Sequence, residues 1–214
     1  MVDSRHVEIT CRQRLLQGAS QMGMVLSDEQ QATLLAFHAL LIKWNKAYNL
    51  TAVRDPLEMI GRHLLDSLII LPYLNSRSCL DMGSGPGLPG IPLAIMQPQT
   101  HFVLLDSNSK KVRFLRQAVL ELGLGNCEPV HARVEDFRST DSFETLTARA
   151  FTALPRMLDL TADLRSSKSE LLAMKGRVPE QEIAEISPDY HCDVIPLKVP
   201  FTQGERCLLR IRLS

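Results

Sequence analysis

The sequence lacks net charge: 24 Lys and Arg balance 24 Asp and Glu. A strongly basic chain that wraps nucleic acid by bulk attraction is therefore excluded, and any polyanionic partner must be held by a local patch. Cysteine is scarce and unpatterned. The five, at 11, 79, 127, 192 and 207, form no C-x-x-C pair and no His/Cys spacing suited to zinc. Reduced, buried thiols are the simplest reading, and no metal is expected. No apolar run approaches the ~20 residues that cross a bilayer. The first residues lack the apolar core of a signal peptide, so a cytoplasmic protein without membrane contact is expected. No internal repeat, low-complexity linker, coiled coil or long apolar stripe stands out, and a monomer is expected. What remains is ordinary globular composition, 45% hydrophobic and 22% charged, over 214 residues. That suffices for one α/β domain with an appendage.

Residues 1–77 read as a helical appendage. A helix around 5–22 is plausible from its amphipathic spacing. Ser27 and Gln30 make a capping box, followed by Leu34, Leu35, His38, Leu41, Ile42 and Asn45 at helical spacing. Asp55, Pro56 and Glu58 announce another helix, ended near Leu71 by Pro72. From 78 to 214 the pattern alternates. Strands are expected near 78–82, 101–106, 128–132, 144–149 and 169–174, and helices near 89–97, 109–122, 154–164 and 178–186. Such alternation argues for a parallel sheet with helices on both faces. The runs 192–199 and 206–213 have no helix between them and must pair antiparallel. The expected fold is α/β and Rossmann-like, with a mostly parallel seven-stranded sheet, a C-terminal antiparallel hairpin and the N-terminal helices.

Residues 81–90, DMGSGPGLPG, carry the most information. Four glycines in eight residues suit neither helix nor strand interior, but fit a strand-to-helix turn that backs closely onto a ligand. Asp106 ends the next strand, 21 residues after Gly85, where a carboxylate grips ribose hydroxyls in nucleoside-binding folds. A dinucleotide fingerprint starting at Gly83 would need a third glycine where Leu88 stands. Asp81, two residues before the first glycine, would repel a pyrophosphate and suits a cofactor with a cationic end. S-adenosylmethionine, with its ammonium and sulfonium, is the favoured cofactor over NAD. A methyltransferase for small molecules or proteins would show the same turn, and a non-catalytic nucleoside sensor remains open.

Further residues then form a set: Trp44-Asn45, Tyr48-Asn49-Leu50-Thr51, Arg62-His63, Asp66-Ser67, Asp106-Ser107, Lys111, Arg113, Arg116, Arg133-Val134-Glu135, Arg149-Ala150-Phe151 and Lys175-Gly176. With the glycine turn, these resemble the ribosomal small-subunit methyltransferase G family over about residues 30–214. The resemblance implies a bacterial enzyme that methylates N7 of one guanine in 16S ribosomal RNA, naked or in the small ribosomal subunit, using S-adenosylmethionine. It implies cofactor contacts at Gly83, Leu88, Val134, Glu135 and Arg149. Gly85 and Asp106 join them from the turn and strand argument above.

Guanine N7 bears a lone pair and no proton. Attack on a methyl group therefore needs alignment and no general base. No acid–base pair is expected, and Arg149, His63 and Asp66 are candidates for positioning the substrate. His63 and Asp66, three apart on a helix, read equally well as a pair holding the appendage on the sheet. Arg62, Lys110, Lys111, Arg113, Arg116, Lys175 and Arg177 are RNA-binding candidates, each also readable as a solvated charge. Trp44 and Tyr48 are one turn apart and fit either a base stack or core packing.

Overall fold

The computed structural model describes residues 4–213. Seven strands form one sheet in the order β3-β2-β1-β4-β5-β7-β6. They are β1 (Ser78–Met82), β2 (His101–Asp106), β3 (Cys127–His131), β4 (Phe143–Arg149), β5 (Arg165–Lys175), β6 (Tyr190–Pro196) and β7 (Cys207–Leu213). β1 to β5 run parallel; β7 is antiparallel to both β5 and β6. The expected mostly parallel sheet and C-terminal hairpin are both present. The strand order reverses direction at β1, whose neighbours β2 and β4 continue on opposite sides. A crevice opens there beyond the strand C-termini.

The sheet's pleat divides the core. Cys79, Phe102 and Leu104 face one side, with Leu172 and Leu208. This face is covered by α1 (Ser4–Gln21), α2 (Asp28–Tyr48), α5 (Gly90–Met96), α6 (Ser109–Leu122) and the helical stretch 56–68. Leu80, Met82, Val103, Leu105, Leu146 and Ala148 face the other side, under α7 (Leu154–Leu160) with Ile183 of α8 (Glu180–Ala184) packed nearby. The N-terminal helices thus share one continuous apolar cluster with the sheet.

Local signals account for the ends of α2 and α6. The Ser27 hydroxyl accepts from the Gln30 N–H while the Gln30 side chain accepts from the Ser27 N–H, closing the expected box. Asn108 caps α6, and Gly123 ends it in the left-handed conformation at φ 64°. Two departures matter, and one gap in the alternation matches the expected elements. The helix expected from Asp55 to Leu71 is broken into α3 (Pro56–Met59), a π-helical segment (Ile60–Leu65) and α4 (Asp66–Leu68). In it the Asp66 N–H reaches the Gly61 carbonyl five residues back. The helix expected over 154–164 stops at Leu160 and continues as a single 3-10 turn, Ala162–Leu164. No helix separates β3 from β4, so the strand–helix alternation lapses there and residues 132–142 run as turns.

Candidate functional site

The glycine turn is fixed by hydrogen bonds at nearly every step. The Ser84 N–H donates to the Leu105 carbonyl at 3.0 Å, and the Ser84 hydroxyl to the Asp81 carbonyl at 2.9 Å. The Gly85 N–H donates to Asp106 Oδ2 at 2.8 Å, and the Asn108 N–H to Asp106 Oδ1 at 2.8 Å. Gly83 has φ 66°, and a Cβ there would come within 2.9 Å of the Phe151 ring. The backbone and the ring therefore meet over this glycine.

Asp81 does not face a ligand. It is wholly buried beneath the turn and lines neither hollow described below. Its Oδ2 accepts from the Gly90 N–H at 3.0 Å and its Oδ1 from the Thr147 hydroxyl at 3.2 Å. Burial pushes its carboxyl up to about 6 against those donors. The expectation that it greets a cationic cofactor end is corrected: Asp81 anchors the start of α5.

Two hollows adjoin along the crevice. The first, about 310 Å³, is lined by Gly83, Leu105, Asp106, Val134, Glu135 and Phe151, among others. The second, about 540 Å³, is lined by Thr51, Arg62, His63, Asp66, Arg149 and Arg206, with Gly85, Leu88 and Lys175. Gly83, Lys111 and Ala150 line both. The seven cofactor candidates are therefore divided: Gly83, Asp106, Val134 and Glu135 border the first hollow, whereas Gly85, Leu88 and Arg149 border the second. Lys111 Nζ lies 3.8 Å from Asp106 Oδ2 at the junction.

The second hollow owes its shape to the N-terminal helices. Asn45, buried in α2, accepts from the Thr51 N–H at 2.8 Å and donates to the Val53 carbonyl at 3.2 Å. This holds the loop after α2 as a wall. His63 Nδ1 faces the Arg62 carbonyl at 2.9 Å, so it carries the proton. Its Nε2 then accepts from the Thr51 hydroxyl at 2.8 Å. Burial, helped by the nearby Arg149 charge, drives His63 down to about 4, and the ring is neutral.

Asp66 is buried and joins two guanidinium groups. Arg149 donates to its Oδ2 and Arg206 to its Oδ1, each at 3.1 Å. Arg149 also donates to the Arg62 carbonyl at 3.1 Å. His63 and Asp66 are thus adjacent, as their spacing implied, but each is engaged with a different partner. Arg206 escaped the sequence reading. Its only cue was a cation just before the last strand, and its partner lies 140 residues earlier.

The basic candidates separate. Lys111 enters the crevice, and Arg62 reaches its rim while pairing with Glu58 at 3.7 Å. Lys175 is tied to Glu182 at 2.9 Å and to the Thr152 carbonyl at 3.1 Å. Arg177 is exposed, 3.9 Å from Glu205. Arg113 and Arg116 turn away to a shallow hollow of about 370 Å³ that also includes His131. Lys110 is exposed. Trp44 packs against Phe114 of α6 at 5.6 Å between centroids and stacks on Tyr48 at 5.1 Å, so Trp44 serves the core.

Comparison with known proteins places this geometry. The sequence model described as GidB, rRNA small subunit methyltransferase G, matches residues 30–209. A protein of Stutzerimonas stutzeri named ribosomal RNA small subunit methyltransferase G is 51% identical, covering 99% of this chain and 98% of that protein. One of the same name from Pseudomonas aeruginosa is 50% identical, covering 94% of each. Among solved structures, a SAM dependent methyltransferase from Aquifex aeolicus superposes with a TM-score of 0.59 at 16% identity. It covers 78% of this chain and 97% of that one, a likeness of fold.

Proposed function

The chain belongs to the rRNA small subunit methyltransferase G family, and on that premise we propose that it transfers a methyl group from S-adenosylmethionine to N7 of one guanine in 16S ribosomal RNA. The observation that carries this reading is the pair of hollows meeting at Gly83, Lys111 and Ala150, one suited to a nucleoside and one bordered by cations. The same reading takes the chain as a cytoplasmic monomer that acts without a metal on ribosomal RNA or the small subunit.

The first hollow fits the nucleoside half of the cofactor. Leu105, Val134 and Phe151 supply apolar walls for a purine, and Asp106 and Glu135 supply acceptors for ribose hydroxyls. Each Asp106 oxygen spends one acceptor site on the turn and retains another. The methionine half would pass over Gly83, where the missing side chain leaves room, toward Gly85 and Leu88. When bound, the cofactor supplies an electrophilic methyl on a sulfonium.

The residues of the second hollow then orient the base. Arg149 and Arg206, held by Asp66, keep further N–H groups for the acceptor edge or the phosphate of a guanine nucleotide. Neutral His63 and the Thr51 hydroxyl line the same hollow without adding charge. No residue need remove a proton, because N7 has none. A-form RNA buries N7 in a deep, narrow groove, so the target guanine must lie unpaired or be drawn out to enter. The test is methyl transfer from labelled cofactor to 16S RNA lacking the modification, with nucleosides resolved by mass spectrometry. Label in 7-methylguanosine at one site is expected. Label in another nucleoside, or none on RNA or subunits, overturns the reading.

A further inference from the structure

We infer that the adjoining outer faces of α2 and α6 form a docking surface for the RNA phosphate backbone flanking the target nucleotide, an inference that rests on the proposed reaction. The argument begins with the distribution of charge. From Gln30 to Tyr48, α2 contains no acid and carries Lys43 and Lys46; from Ser109 to Leu120, α6 contains no acid and carries Lys110, Lys111, Arg113 and Arg116. The two helices are neighbours: the Phe114 ring of α6 lies 5.6 Å from Trp44 and 6.3 Å from Phe37 of α2. Lys110 lies one turn before Phe114, and Lys43 is next to Trp44, so both border the seam.

These cations differ from the paired ones; exposed cations without an ion pair also stand elsewhere among the described residues, Arg77 and Lys168 among them, but those lie outside the two helices. Arg62, Arg156, Lys175, Arg177, Arg210 and Arg212 each have a carboxylate partner. Among the described residues, Lys43, Lys46, Lys110, Arg113 and Arg116 are exposed and form no ion pair. A merely solvated helix mixes signs, commonly with acids four residues from cations. Four residues after Lys110, Arg113 and Arg116 stand Phe114, Gln117 and Leu120. In a chain of zero net charge, this separation is what creates local attraction for a polyanion.

The surface also leads into the crevice. Lys111, in the first turn of α6, lines both hollows, and residues 51–53 after α2 line the second. Tyr48, at the end of α2, stacks on Trp44 and is 37% exposed, offering aromatic surface to an unpaired base.

The test compares the full chain with its K43Q/K110Q/R113Q/R116Q variant for binding to unmodified 16S RNA over a range of potassium chloride concentrations. Kd should rise at least about tenfold near physiological salt, and the log–log salt slope should fall by roughly 2 to 3 units, at about 0.7 per lost single-strand contact. S-adenosylmethionine affinity and kcat at saturating RNA should not change. R77Q/K168Q, at the opposite end of the strands, should behave as wild type. Unchanged Kd and slope in the quadruple variant of a protein that methylates RNA overturn the surface alone. A wild type that transfers no label to RNA overturns both surface and reaction. A defect confined to assembled subunits, with naked RNA bound normally, assigns the surface to a ribosomal protein and overturns the inference.

Discussion

Arg206 places its Nε 3.1 Å from Oδ1 of Asp66, joining the hairpin loop before the last strand to the helical stretch that follows the π-helical segment. Asp66 is 4% exposed, and its other oxygen holds Arg149. Removing the charge leaves two guanidinium groups facing each other without a counter-ion. Asp66→Asn should cost about 2 to 3 kcal/mol in urea unfolding, below the value for a fully buried pair because both arginines retain some exposure. Methylation kcat/KM should fall at least about 100-fold, the equivalent of a lost charge-assisted contact. Arg206→Ala should lower kcat/KM at least about tenfold. Cofactor affinity should fall much less than kcat/KM in Arg206→Ala, since Arg206 lines the second hollow and not the first. Loss of cofactor binding in Arg206→Ala would refute this division of labour.

Asp106 ties the glycine turn to the end of β2 through two backbone N–H groups. Asp106→Ala removes both acceptors together with any ribose contact. S-adenosylmethionine should bind at least about tenfold more weakly by calorimetry, a loss of about 1.4 kcal/mol or more. Asp106→Asn keeps one acceptor oxygen and should fall between. Equal affinities for wild type and Asp106→Ala would remove Asp106 from the cofactor site.

His63 and Asp81 titrate in opposing senses. His63 falls from 6.5 to about 4 on folding, so between those values the unfolded chain binds more protons and stability rises with pH. The His63 contribution is complete above 6.5 and lost as pH falls toward 4, amounting to roughly 3 kcal/mol. Asp81 rises from 3.8 to about 6, so the folded chain binds more protons there and stability falls as pH rises. The two largely cancel in the wild type. His63→Gln should therefore become less stable from pH 4 to 6 relative to wild type, and Asp81→Asn should become more stable over the same interval. Unfolding midpoints at the two pH values measure both slopes; parallel pH profiles for all three proteins would contradict the assignment.

Gly83 has φ 66°, and a methyl there would meet the Phe151 ring. Gly83→Ala should cost about 1 to 2 kcal/mol for the left-handed backbone alone. Cofactor affinity should also fall, because the ring must shift into the nucleoside hollow. Gly83→Ala/Phe151→Ala should recover the steric part of the loss and leave the backbone part. Thermal unfolding with and without S-adenosylmethionine distinguishes the two.

The sequence was legible wherever a signal was local. The Ser27 box, the 109–122 extent of α6 and all seven strands follow from capping chemistry and periodicity. The place of Asp106 at the end of β2 beside the turn was legible because its distance from the turn is a property of the β-α-β unit. Asp81 was misread, since its spacing before the glycines fits an anchor for Gly90 as well as a ligand group, and only burial decides. The π-helical segment was hidden because nothing in Ile60–Leu65 forbids an ordinary helix. It coexists with close tertiary packing at Gly61, where a Cβ would lie 3.3 Å from the Pro200 and Phe201 carbonyls. Arg206 was invisible for a related reason: the meaning of its charge depends on a carboxylate 140 residues away. The basic run after Asp106 looked uniform in one dimension, yet one helical turn sends Lys111 into the crevice and Arg113 and Arg116 outward.

The placement of β7 between β5 and β6 has a consequence for assembly. In chain order β6 precedes the strand that must hold it, and β5 keeps an open edge until β7 inserts between them. Arg206 arrives immediately before β7, so Asp66 has only one of its guanidinium partners until that insertion. The glycine turn is bonded within residues 81–108, whereas the Asp66 pairing that shapes the second hollow is complete only when Arg206 and β7 are in place.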